Sequence, residues 1–209
     1  MTQKYWDKLH TGKFDGNWAS KPSQFAEYAV SFFPKTGKIL EIGTGKGGDA
    51  NFFQSLGYEV VATDFSAEAL KIAEENFKDI KFVNLDTSQG LPFEDKSFDV
   101  VYSQMALHYF DKQTTAKIFK DIHRVLRPNG IFATITNTMD DREKEASDYV
   151  ALEPDFYKNT KKDIFKRYFS IKSMKNFIKD LFEVIILDNK GEVYYKDIKT
   201  LIRFIGKKI

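Results

Sequence analysis

Three acids, Glu41, Asp64 and Asp86, fall at or near the carboxyl ends of short apolar runs, and Gly43-Thr44-Gly45-Lys46-Gly47-Gly48 follows the first of them. An apolar run that ends in glycines reads as a buried parallel strand turning sharply into a helix. Glycine takes positive φ without steric cost and lets the backbone approach a ligand, so a ligand can lie across this turn. A carboxylate about twenty residues further on, here Asp64, can accept hydrogen bonds from both hydroxyls of a ribose. Gly43, Gly45 and Gly48 also satisfy the dinucleotide fingerprint, so the glycines alone do not say which nucleoside is held. Glu41 discriminates, because an acid two residues before Gly43 opposes a pyrophosphate and suits a cation. Asp86, in Leu85-Asp86-Thr87, closes a third strand and can accept from an exocyclic adenine amine. The three acids together call for a ligand with a cationic amino-acid tail, a ribose and an adenine.

S-adenosylmethionine fits that description. On these residues the chain resembles the class I S-adenosylmethionine-dependent methyltransferases, over roughly Pro34 to Ile209. Their first motif has its counterpart in Glu41-Ile42-Gly43-Thr44-Gly45-Lys46-Gly47, and their ribose acid in Asp64. Their adenine acid corresponds to Asp86, with the Thr87 backbone beside it, and their post-strand segment to Val100 through His108. Gly47-Gly48-Asp49-Ala50 and the amino-terminal Tyr5-Trp6-Asp7 look more like the small-molecule branch that includes thiopurine and tellurite methyltransferases.

The resemblance implies in-line transfer of a methyl group to a small-molecule nucleophile, with S-adenosylhomocysteine as product. It implies cofactor contacts from Glu41, Gly43, Thr44, Gly45, Gly47, Asp64, Asp86 and Thr87, with Ser103 and Gln104 facing the methyl. Phe65 either packs against the adenine or fills the core. Trp6, Trp18, Met105 and Tyr109 fall on the substrate side, where aromatic faces attract a sulfonium. His108 is the candidate general base, since neutral imidazole can take a proton at physiological pH. Its alternative is a packing role. Asp64 and Asp86 have plainer alternatives too, as a helix-dipole charge and as ordinary loop chemistry. Asp49, in the first turn of its helix, reads as structural. The basic run Lys158, Lys161, Lys162, Lys166 and Arg167 reads as solvated charge.

These side chains need a sheet to hold them. Alternating strand-like and helix-like segments predict an α/β fold with an open, mostly parallel sheet. Strands are expected at 38–43, 59–63, 80–84, 98–103 and 130–136, and helices at 47–56, 66–77 and 112–126. A charged stretch, 140–162, then precedes a helix at 173–181 and strands at 182–187 and 201–206. About a dozen residues separate these last two, too few for a crossover helix, so they pair antiparallel. The resemblance implies a Rossmann-like seven-stranded sheet of order 3-2-1-4-5-7-6, its last strand antiparallel, with helices on both faces. Residues 1–33 are expected to form a helical lid, with a helix from about Ser23 to Phe33 over the open end of the sheet. Residues 34–137 form the cofactor core, 138–172 a substrate-side insertion, and 173–209 a terminal helix and hairpin, all in one domain.

Composition narrows the function further. The 209 residues carry a net charge of +2 with 30% charged side chains, too balanced for a strong nucleic-acid field. Cysteine is absent, which excludes disulfide and thiolate chemistry. No run approaches a membrane span or a signal-peptide core, so a cytoplasmic protein is expected. No His and acidic residues have metal spacing, and no metal is expected. Oligomeric state is not legible. Two rival functions share part of the pattern. A non-catalytic S-adenosylmethionine-binding module shares every cofactor residue, whereas a nicotinamide-dependent oxidoreductase is opposed by Glu41 and the terminal hairpin.

Overall fold

The computed structural model describes residues 3–11, 21–138, 148–191 and 201–209. Its centre is a seven-stranded sheet of β1 (Lys38–Ile42), β2 (Glu59–Asp64), β3 (Lys81–Asn84), β4 (Phe98–Gln104), β5 (Leu126–Asn137), β9 (Phe182–Gly191) and β10 (Leu201–Lys208). Their order is β3-β2-β1-β4-β5-β10-β9. The first five strands run parallel, and β10 runs antiparallel between β5 and β9. This is the expected order with its reversed last strand.

Strand periodicity sends alternate residues to opposite faces. Leu40 and Ile42 of β1 join Val101, Phe132 and Phe204 on one face, under Ile118, Phe119 and Ile122 of α5 (Lys112–Val125) and Met174 and Ile178 of α6 (Ile171–Ile178). Ile39 shares the other face with Val60, Val100 and Tyr102, covered by Phe25 and Ala29 of α2 (Gln24–Ala29) and Phe53 of α3 (Gly48–Ser55). Between β2 and β3 lies α4 (Ala67–Asn76), started by Ser66, whose hydroxyl accepts from the Ala69 N–H. Pro128-Asn129-Gly130 does not precede β5 but lies inside it, as an irregularity in the pairing with β4, with Asn129 at φ +64°.

The structure relocates the amino-terminal helix. Instead of covering the open end of the sheet, α2 packs on a face, where Phe25 stacks on Tyr102 at 5.5 Å. A buried carboxylate fixes it there. Asp49 accepts from the Ser23 N–H at 2.6 Å, the Ser23 hydroxyl at 2.8 Å and the Tyr102 hydroxyl at 2.7 Å. The element over the carboxyl ends of the strands is α1 (Gln3–Thr11), which packs against α4.

Much of the charged stretch is folded. Tyr149–Glu153 (β6), Phe156–Asn159 (β7) and Ile164–Arg167 (β8) form a separate antiparallel sheet in that order. Asp155 and Asp163 take φ of +63° and +52° in its two turns. Most of the basic run is paired: Lys158 with Asp163, Lys161 with Asp148, and Arg167 with Glu153. Arg167 is 3% exposed and also donates to the Phe110 carbonyl, which ties β8 to the segment after β4.

Tyr102→Phe is expected to destabilise the protein by about 1–3 kcal/mol, because buried Asp49 loses a donor that nothing replaces. A urea unfolding midpoint equal to that of the wild type would refute this role.

Candidate active site

The site is built at the carboxyl ends of β1, β2 and β4. After β1 the chain turns through Gly43, Gly45 and Gly47, all at positive φ, and both Gly43 and Thr44 donate their N–H groups to the Thr63 carbonyl of β2. At Gly43 (φ +78°) a Cβ would stand 2.2 Å from the Cβ of Ala106, so only glycine lets the segment after β4 pass over the turn. At Gly45 (φ +56°) a Cβ would point toward His10, 3.6 Å from its Cε1.

Two carboxylates flank the turn. Glu41 is 2% exposed and accepts from the Thr44 hydroxyl at 2.8 Å. Burial pushes its carboxyl well above the usual range, and nearby Asp49 and Asp64 push it further. Asp64 accepts from the Gly45 N–H and the Ser66 N–H, each at 2.8 Å. Burial raises it too, against the lowering effect of those two N–H groups. Carboxylates placed this way favour a cationic or hydroxyl-rich partner, because either relieves the cost of their ionised forms.

A cavity of about 810 Å³ opens on these groups. Glu41, Gly43, Thr44, Gly45, Asp64, Phe65, Asp86, Thr87 and Gln104 line it, as do Trp6, Met105 and Tyr109. The structure thus gathers most of the residues singled out from the sequence. Asp86 has a structural task as well, capping the short 3-10 turn Thr87–Gln89 by accepting from the Ser88 N–H. Gly47 caps α3 from a left-handed conformation and packs toward Ala73 and Phe77 rather than lining the cavity. Trp18 lies outside the described residues.

Two further expected site residues stand away from the cavity. Ser103 is fully buried, with its hydroxyl donated to the Ile42 carbonyl, because the strand period puts it on the face of Val101. His108 is likewise fully buried, its ring 4.1 Å from that of Tyr109, and it does not line the cavity. Neither of its ring nitrogens has a hydrogen-bond partner among the described residues. Burial, aided by Lys166, holds its pKa well below the ordinary value.

Other lining residues escaped the sequence reading. Leu9 and His10 come from α1, and Phe156 and Phe165 from the small sheet. His10 is kept neutral chiefly by burial, against the opposing pull of Asp64. From the sequence His10 is only a weak candidate base near the amino terminus. For the two phenylalanines a signal exists, since Pro154-Asp155 between aromatic runs is a hairpin turn. Asp7 of α1 accepts from the Ser66 hydroxyl at 2.8 Å, and Trp6 meets Tyr109 edge to face at 4.8 Å. Among the described residues no cluster of three or more acidic or histidine side chains could hold a metal, and no helix is long and apolar enough to cross a membrane.

Residues 40–134 match the family described as a methyltransferase domain. An uncharacterized methyltransferase of Synechocystis is 34% identical over 98 residues, 47% of this chain and 46% of that protein. A malonyl-[acyl-carrier protein] O-methyltransferase of Enterobacter lignolyticus is 31% identical over 103 residues, 49% of this chain and 40% of that protein. The chain thus spans less than half the length of these curated relatives. Among solved structures, a SAM-dependent methyltransferase of Methanosarcina mazei superimposes with a TM-score of 0.75 at 20% identity, covering 87% of this chain and 97% of that one. A Burkholderia thailandensis 1,6-didemethyltoxoflavin-N1-methyltransferase, solved with that substrate and S-adenosylhomocysteine, gives a TM-score of 0.68 at 20% identity over 96% of this chain and 80% of that one. These likenesses support a class I S-adenosylmethionine-dependent methyltransferase family, with the methyltransferase domain matched over residues 40–134.

Glu41 gives a test that needs no ligand. Its folded pKa exceeds its unfolded one, near 4.5, so the native state binds the extra proton and its stability falls as pH rises above that value. Glu41→Gln is expected to unfold at a higher temperature than the wild type near neutral pH, with the gap closing toward about pH 4. A gap that does not change with pH in thermal melts would contradict the burial argument.

Proposed function

We propose that this chain uses S-adenosylmethionine to methylate a small-molecule nucleophile, and that the cofactor lies across the Gly43–Gly47 turn. The observation that carries the reading is the pair of desolvated carboxylates, Glu41 and Asp64, at neighbouring strand ends around a turn whose Gly45 leaves open backbone facing the cavity. A bound S-adenosylmethionine supplies a methyl group already activated by its sulfonium.

In this reading Glu41 receives the cationic amino-acid tail, and Asp64, with both oxygens already oriented by N–H donors, receives the ribose hydroxyls. Asp86, Thr87 and Phe65 bound the adenine side, and Gln104 and Met105 border the reacting methyl. Trp6, Leu9 and His10 roof the cavity and keep water out. The protein's main task is alignment of donor and acceptor, which can contribute about 7–11 kcal/mol. A volume of about 810 Å³ is within the usual range for small-molecule sites, and the roof favours an acceptor that enters whole. An acidic turn and an antiparallel β10 do not suit a nicotinamide dinucleotide.

Titration with S-adenosylhomocysteine by calorimetry tests the reading. Asp64→Ala is expected to bind at least about tenfold more weakly, a loss of about 1.4 kcal/mol. Because the ligand's ammonium favours ionised Glu41, wild-type binding is expected to release protons, so the heat changes with the buffer's ionisation enthalpy; Glu41→Gln removes that dependence. Equal affinity in Asp64→Ala would overturn the ribose assignment. Binding without turnover on any acceptor would instead identify a non-catalytic module.

A further inference from the structure

The amino-terminal helix reaches the glycine turn through one side chain, His10. Asp7 fixes α1 on the start of α4, accepting from the Ser66 hydroxyl at 2.8 Å and from the Glu68 N–H at 3.4 Å. Ser66 also donates its own N–H to Asp64 at 2.8 Å, so a single residue sets the position of α1 relative to that carboxylate. His10 lies three residues after Asp7, and side chains three apart share one face of a helix. Its ring is thereby brought to the turn, where a Cβ on Gly45 would stand 3.6 Å from the ring's Cε1. Gly45 in turn donates its N–H to the other oxygen of Asp64 at 2.8 Å. Imidazole, turn and carboxylate border one corner of the cavity, with Lys46 beside them.

A ribose placed in that corner brings its own hydrogen-bonding needs. In the cofactor reading each ribose hydroxyl donates to Asp64, and a hydroxyl that donates still presents two lone pairs. The N–H groups of Gly45 and Ser66 are already engaged by the carboxylate. Burial lowers the His10 pKa and Lys46 lowers it further, against the opposing effects of Asp64 and Asp7, so the ring is neutral. A neutral imidazole carries one N–H donor and one acceptor nitrogen. Under a roof that keeps water out, a hydroxyl oxygen without a donor is costly, and this ring is a donor at the right corner.

We propose that His10 reads the cofactor's ribose together with Asp64: its ring N–H donates to the oxygen of one ribose hydroxyl while that hydroxyl donates to the carboxylate. The assignment rests on the cofactor reading above and adds to it a residue from outside the matched segment 40–134. His10 acts here as a binding residue and not as a base, since the ribose keeps all its bonds during the transfer. A hydroxyl held by a donor and an acceptor at once is fixed in orientation as well as in place. A ligand without that hydroxyl leaves both protein groups unmet, which makes the corner selective for a ribonucleoside over a deoxyribonucleoside.

Calorimetric titration with S-adenosylhomocysteine and with the two analogues that each lack one ribose hydroxyl tests this. In the wild type one of the analogues is expected to bind at least about tenfold more weakly than the parent. In His10→Leu that preference for the parent is expected to shrink about three- to tenfold, the size of one lost hydrogen bond. His10→Gln, which keeps a side-chain N–H donor, is expected to recover part of it. A ring that only packs would weaken all three ligands alike. Such equal weakening in His10→Leu, or unchanged affinity for all three, would overturn the assignment. A preference lost in Lys46→Met and kept in His10→Leu would also overturn it, by placing the donor on Lys46. Failure of the wild type to bind S-adenosylhomocysteine defeats the cofactor reading itself, whereas binding without the coupling to His10 defeats this assignment alone.

Discussion

The site depends on carboxylates kept out of water with no salt bridge to them among the described residues. Glu41 is buried at the end of β1, with Thr44 its donor and with Asp49 and Asp64 raising its pKa. Such a group is costly to ionise until a positive ligand arrives, so it stores a preference for cations in the empty fold. Everything around it serves that arrangement. Thr63 fixes the glycine turn by accepting two N–H groups, and Ala106 closes over Gly43 where no side chain could fit.

Asp49 shows how the same chemistry serves structure instead. It is as well hidden as Glu41, but three donors from Ser23 and Tyr102 surround it, so its charge is satisfied within the protein. The contrast between a carboxylate with three donors and one with a single hydroxyl separates anchor from binding group. Both carboxylates border the cavity, Glu41 from β1 and Asp49 from α3, and Glu41 is the one left with a single side-chain donor.

The sequence made the sheet legible because its strands are short apolar runs ending in punctuation that physics restricts: glycine at positive φ after β1, a serine cap before α4, and too few residues between the last two strands for a crossover. The carboxylates were legible for the same reason, since strand ends are where they must stand. Ser103 and His108 do not line the cavity because position after a strand does not say which face a side chain takes: the period of two turned Ser103 inward, and the bend after Gln104 buried His108, in line with its packing alternative. The small sheet was missed because its strands are four or five residues long and interleaved with lysines whose acidic partners are remote in sequence or across a turn. The placement of His10 was not legible, because only the docking of α1 on α4 brings it to Gly45.

That docking has a further meaning. Asp7 holds α1 through Ser66 and the Glu68 N–H, two residues and four residues beyond Asp64, while Trp6 on the same helix leans on Tyr109. In the proposed reading, one short helix therefore touches both the cofactor's ribose side and the far side of the cavity. A molecule that fastens it from either side has already met part of the ordering cost for the other. Under the proposed function, thermodynamic reciprocity would make the two ligands cooperative, each tightening its neighbour by the same factor.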